Sequence, residues 1–236
     1  MTEPIESPST LDASPSLGEP LLVEDVLLLL FQPDSGTIAG ENTLFYVLGG
    51  AALGDLAMTA RIETEKRTLG TRVHGVGDGP LDPLLTSAWE YAAEKPRGVQ
   101  TVLAAIGPRL REPVLDRLVE RGDLLREEKK VLGFIPSERL SLAMDRRAGL
   151  IGRVRAVLTD GEEPDTRTAA IVALLSASGT LPQFDREISW TGDVYTRAKA
   201  LERGDWGAAA AGAAVARTIA AVVTTSTVSA LLTSRS

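Results

Sequence analysis

The 236-residue sequence contains no cysteine, a single histidine and few aromatic residues, 4% in all. Without cysteine there is no disulfide framework, no thiolate nucleophile, no iron–sulfur cluster and no cysteine-ligated zinc. One histidine excludes a multi-histidine metal centre within one chain. The scarcity of aromatics leaves the core to Leu, Val, Ile and Ala. Positive charge is also in deficit: 25 Lys and Arg stand against 32 Asp and Glu, a formal net charge of −7. That balance argues against nucleic acid as a partner. The remainder is the composition of an ordinary globular protein, with 44% hydrophobic and 24% charged residues. The length suffices for one large domain or two small ones, with a sizeable core. The lack of cysteine fits a reducing, cytoplasmic setting.

Residues 1–19 are rich in Pro, Ser and Glu, have no apolar period and read as a disordered tail. Glu3 and Glu6 stand where a signal peptide would carry basic residues, and no apolar stretch follows them. Ordered structure is expected from residue 20 to the end. The run from Leu21 to Phe31 is too short to span a bilayer, and its Glu24 and Asp25 suit the first turn of a helix. Residues 32–36 read as a turn. Between 41 and 60, Leu44, Val47, Leu48, Ala51, Ala52, Asp55, Leu56 and Thr59 recur at helical spacing. Asp55 needs a partner if that face is buried, or else marks its rim. Residues 61–65 and 71–76 alternate like paired strands. Helices are expected at 81–94, 99–106, from Pro113 to Gly122, at 138–158, at 167–177 and at 195–203, with a hairpin over 124–136. The Ala- and Thr-rich stretch 207–232 approaches membrane-spanning length. Arg217 near its middle would cost about 2.5–3.5 kcal/mol in a bilayer, so a buried terminal helix is the better reading. The whole is mainly α: a single helical domain with one or two small β-hairpins.

Chemical motifs are sparse. Gly75-Val76-Gly77-Asp78-Gly79 is followed by Pro80 to Pro83 rather than the Lys-Ser/Thr of a phosphate loop, and reads as a connection from strand to helix. The acidic stretch Asp160 to Asp165 lacks the alternation of a calcium loop, and Asp165 is placed to cap the next helix. No Gly-x-Ser-x-Gly elbow is present, and His74 has no triad around it. The sequence gives no positive sign of an enzyme, a cofactor or a metal.

Two surface features remain. Arg109 and Arg111 precede a helix whose first turn holds Pro113, an arrangement that suits a phosphate. Pairing of Arg111 with Asp116 or another surface acid is the competing reading. In the 124–136 hairpin, Lys129 and Lys130 adjoin Val131, Leu132, Phe134 and Ile135. Basic residues beside exposed apolar ones favour an anionic membrane surface. The competing reading packs those apolar residues into the core.

Four stretches, taken in order, resemble the Golgi phosphoprotein 3 family, in particular its bacterial members. They are Leu21 to Leu29 with the turn after it; Gly50-Ala51-Ala52-Leu53-Gly54-Asp55-Leu56-Ala57 before Arg61; Gly79-Pro80-Leu81-Asp82 opening the Trp89 helix; and Leu118 to Leu125 leading into the hairpin. The resemblance runs from about Leu21 to the end. It implies a mainly helical single domain and a peripheral membrane protein. Eukaryotic members bind phosphatidylinositol 4-phosphate and bridge membranes to cargo and motors. It also implies that the hairpin, Leu125 to Ile135 here, serves membrane insertion or self-association. Of the family's headgroup positions, two fall on Gly40 and Gly49, a third on Pro108 and the fourth on Arg111, with Arg109 beside Pro108. The expectation is therefore a cytoplasmic, peripheral adaptor that binds anionic phospholipid through Arg109 and Arg111. The hairpin residues Lys129, Lys130, Val131, Leu132, Phe134 and Ile135 would support it. The alternative is a soluble scaffold, self-associating or protein-binding, without lipid recognition.

Overall fold

The computed structural model describes residues 17–68, 70–131, 135–206 and 212–233, with side chains at all of these except 128–131, 135–138 and 225–233. The expected tail thus lies outside the described residues up to position 16. Among the described residues there are nine α-helices and seven short strands. The fold is mainly α.

Helix α1 (Leu22–Leu30) is buried on every side, which its near-continuous apolar sequence requires. Its Glu24 and Asp25 are buried with it. Strands β1 (Phe31–Gln32) and β2 (Thr37–Ile38) follow as a small antiparallel hairpin over the expected turn. Helix α2 (Leu44–Met58) then crosses the centre of the molecule, packed against α1 and later helices. Its Leu44, Val47, Leu48, Ala51, Ala52, Asp55 and Leu56 are all buried, as their spacing predicts. Gly50 permits close packing, because a Cβ there would sit 2.7 Å from Val222 Cγ1.

Strands β3 (Ile62–Arg67) and β4 (Gly70–Gly75) pair antiparallel, with Ile62 opposite Gly75. A third strand, β5 (Arg97–Gly98), adds to β4 and has no signal in the sequence. Between them lies α3 (Pro83–Ala93). Asp82 caps it by accepting from Leu84 N at 2.9 Å, and Pro83 occupies its first turn. The glycine-rich loop makes the turn from β4 to α3. Gly77 and Gly79 have φ of +70° and +91°, and Gly79 lies against the Trp89 ring, whose Nε1 donates to Val76 O at 3.2 Å.

Helices α4 (Val99–Ile106) and α5 (Arg111–Glu120) are joined by a 3₁₀ turn at Gly107–Arg109. Strands β6 (Leu124–Val131) and β7 (Ile135–Leu142) form a hairpin longer than its sequence suggests. Glu127 to Lys130 are not its turn. They lie on β6, and the reversal falls between Val131 and Ile135. Strand β7 continues to Leu142, so α6 (Arg146–Leu158) starts eight residues later than the expected 138. Leu140 and Leu142, two apart on β7, both pack against the core.

Helix α7 (Thr166–Ala177) is capped by Asp165, which accepts from Thr168 N at 2.6 Å. Helix α8 (Gly192–Glu202) follows, and α9 (Ala213–Thr233) closes the core against α2 and α7. Among the described residues no helix is long and apolar enough to cross a membrane.

Candidate functional site

The region singled out by Arg109 and Arg111 is built around Gly107. A Cβ on this residue would lie 2.1 Å from Phe45 O, so the 3₁₀ turn rests directly on the α2 backbone. Gly107 and Leu110 both have right-handed helical backbone, and Leu110 N donates to Gly107 O and Val114 N to Leu110 O. The chain therefore winds from α4 into α5 with little interruption. That leaves fewer free N–H groups at the start of α5 than an isolated helix would offer.

The two arginines have different fates. Arg111 Nη2 donates to Glu41 Oε1 at 3.1 Å, and Nη1 donates to Glu112 Oε1. Burial opposes its charge, but bonds to Glu41 and Glu112 outweigh this and raise its pKa above the ordinary arginine value. Arg109 is exposed and, among the described residues, forms no hydrogen bond or ion pair. The two positions two residues apart thus divide into one arginine already neutralised and one available.

Arg109 stands at the wall of a groove of about 900 Å³ between α3, the end of α4 and α5. Leu84, Ala88, Tyr91, Ala105, Ile106 and Pro113 give it an apolar lining. Arg117 also faces it. Its guanidinium is fully engaged: Nη1 and Nη2 grip the Asp82 carboxylate at 2.8 and 2.9 Å, while Nε donates to Glu24 Oε1 at 2.9 Å. Asp116 on the same wall accepts from Arg126 Nη1 at 2.8 Å. Leu17, ahead of α1, lines the groove too.

The second candidate feature is the β6–β7 hairpin. Its register places Lys129 opposite Ser137, Lys130 opposite Pro136 and Val131 opposite Ile135. Leu132 and Phe134 lie outside the described residues, as do the side chains of Lys129, Lys130, Val131 and Ile135. At the base of the hairpin Leu124 is buried and Leu125 is exposed. The hairpin and the groove share α5, which packs on β6.

A set of buried charges lies behind this region, and of these the sequence marks only Asp55. Glu24 on α1 is fully buried and accepts from Arg117 and Arg121 of and after α5. Asp25 accepts from Arg146 of α6 and from Arg167 of α7, the latter at 2.6 Å. Asp55 on α2 caps α1 from outside: its two carboxylate oxygens accept Leu22 N at 2.7 Å and Val23 N at 3.1 Å. Burial pushes the Asp55 carboxyl up to about 7, against the lowering effect of those two N–H groups and of Arg167. These acids neighbour arginines or backbone donors in a closed core, a structural rather than a reactive setting. His74 is half-buried on β4, 3.6 Å from Glu63 Oε2. Among the described residues no group of three or more His, Asp or Glu side chains could hold a metal ion.

The family comparison bears on the whole of this arrangement. No curated protein matches the sequence. The family model described as Golgi phosphoprotein 3 (GPP34) matches residues 22–218. This range takes in α1, the groove apart from Leu17, the hairpin and the start of α9, well over half of the chain. The chain therefore belongs to the Golgi phosphoprotein 3 (GPP34) family.

Proposed function

We propose that this protein is a non-enzymatic peripheral adaptor that binds an anionic phospholipid surface. Arg109 supplies the available cation, and the β6–β7 hairpin with Lys129 and Lys130 adds a second, basic–apolar contact. The observation that carries the reading is the exposed Arg109, unpaired among the described residues, at the wall of an apolar groove in a chain of the Golgi phosphoprotein 3 family. A single free guanidinium favours general attraction to anionic lipid over a tight headgroup cage, since Arg111 is already held by Glu41 and Glu112. Gly40 and Gly49 supply no side chain to such a cage. The protein would work on the cytoplasmic face of a membrane.

Vesicle sedimentation tests this reading. Each Lys or Arg near an anionic surface contributes about 1 kcal/mol. The double change Lys129→Glu, Lys130→Glu is therefore expected to weaken binding to phosphatidylserine-containing vesicles at low salt by well over tenfold. Neutral phosphatidylcholine vesicles should bind neither form. Absence of binding to the anionic vesicles sinks the proposal.

The second reading, a self-associating scaffold, draws on the apolar Leu132, Phe134 and Ile135 of the sequence. It predicts an oligomer in light scattering that Phe134→Asp converts to monomer.

A further inference from the structure

We propose that the groove beside α5 is the docking site of this chain's own amino-terminal segment, with residues 12–16 laid along α5 and Asp12 paired to Arg109. Three observations lead there.

The first is where the chain enters. Leu17 lines the groove, and the carbonyl of the next residue, Gly18, accepts from Arg121 Nη2 at 2.7 Å. Arg121 follows directly on the last residue of α5, so the chain meets the groove at the carboxyl end of that helix. Sixteen residues precede Leu17.

The second is length. Helix α5 has ten residues and so extends about 15 Å at 1.5 Å per residue. Arg109 lies just before its first residue, at the opposite end from Arg121. The segment carries Pro4, Pro8 and Pro15, which favour the extended polyproline conformation at about 3.1 Å per residue. Asp12 is five residues before Leu17, a reach of about 15 Å. Its carboxylate can meet Arg109 when the segment follows the helix.

The third is charge. Residues 1–16 include Glu3, Glu6 and Asp12 but no Lys or Arg. Two charges on the groove wall have no partner among the described residues: Arg109 at one end of α5 and Glu120 at the other. The stretch that would pass Glu120, Ala13 to Ser16, is uncharged. The first acid in the segment arrives where the free cation stands. The apolar wall between suits Ala13 and Pro15. Docking would cover Arg109, and its consequence for the membrane, that the segment and anionic lipid compete for that guanidinium, rests on the function proposed above.

The full chain has no cysteine, so Ser14→Cys gives one site for a nitroxide spin label. Amide resonances of the isotopically labelled chain are then compared with the label oxidised and reduced, in the absence of lipid. The expected result is loss of most of the intensity at Ser87, Tyr91, Ala104 and Arg109. Thr196 on the exposed face of α8 should keep its signal. Adding Arg109→Glu, a surface change that leaves the fold intact, should restore much of the lost groove intensity. Loss spread evenly over the surface, or unchanged by Arg109→Glu, overturns the proposal. So does loss that arises only between a spin-labelled chain and a separate isotopically labelled one, which would place the segment on a second copy. Because no lipid is present, this outcome is independent of vesicle binding, and either reading can fail alone.

Discussion

At the scale of single residues, Asp55 and Arg109 carry the account in opposite ways. Asp55 is a trans cap. Helix α1 has Leu21 at its N-cap, with no side-chain bond of its own, so α2 supplies the carboxylate that receives Leu22 N and Val23 N. The folded carboxyl holds its proton up to a pH of about 7, whereas an unfolded Asp loses it near pH 3.9. Between those values the folded state binds the extra proton, so this group's contribution favours folding at low pH and declines as pH rises through 7. Asp55→Asn should flatten that part of the pH dependence. It should also cost about 1–3 kcal/mol, because the amide places an N–H₂ against one of the two backbone donors. Urea midpoints of the two forms at pH 5 and pH 8 check this: the gap between wild type and variant must be wider at pH 5. The helical spacing around Asp55 leaves two readings, a buried acid with a partner or a residue at the rim, and the structure shows the first. The sequence could not name that partner, because the two N–H groups belong to residues 33 and 32 positions away. For Arg111 the same holds: Glu41, 70 positions earlier, is brought to it only by the fold.

At the scale of elements, α1 is the hub. Glu24 and Asp25 read as ordinary acidic residues in a first helical turn. In the fold they are buried anchors for arginines 93 to 142 positions away, on or beside α5, α6 and α7. A buried ion pair adds little over a well-packed apolar substitute, but removing one member leaves an uncompensated charge. Glu24→Gln should therefore destabilise by about 3 kcal/mol, since Arg121 loses its carboxylate and Arg117 keeps only Asp82. Asp34→Asn removes the partner of Arg186 in a pair that is 88% and 90% exposed, and should shift the midpoint very little. Denaturant unfolding of the two variants side by side measures the contrast. Helices α2, α3, α4 and α7 are legible because each has an apolar period or a cap, and α1 because its apolar run carries Glu24 and Asp25 in the first turn. The hairpin was only half legible. Its first strand was recognised, but the charged run at 127–130 looked like a turn. The alternation of Leu140 and Leu142 was absorbed into an expected helix. Five consecutive charged residues, Arg126 to Lys130, leave β6 without the apolar alternation by which a strand declares itself.

At the scale of the whole molecule, a chain of net charge −7 must confine any attraction to anionic lipid to one face. The arginines of the core are already spent on Glu24, Asp25, Asp82, Asp123 and Glu187. What remains outward near the groove is Arg109, with the hairpin rising from the other end of α5. The family and the mainly helical architecture could be read from the order of short sequence stretches. The division of labour between Arg109 and Arg111 could not, because it depends on which carboxylates the fold brings near. Binding of the full chain to anionic vesicles at low salt, compared between Arg109→Glu and Arg111→Gln, tests this most directly. Reversing a charge near the surface removes about 2 kcal/mol, so Arg109→Glu should bind roughly 30-fold more weakly than wild type. Arg111→Gln should stay within a few-fold of it. Wild-type binding by Arg109→Glu, with the loss falling on Arg111→Gln instead, would contradict the account.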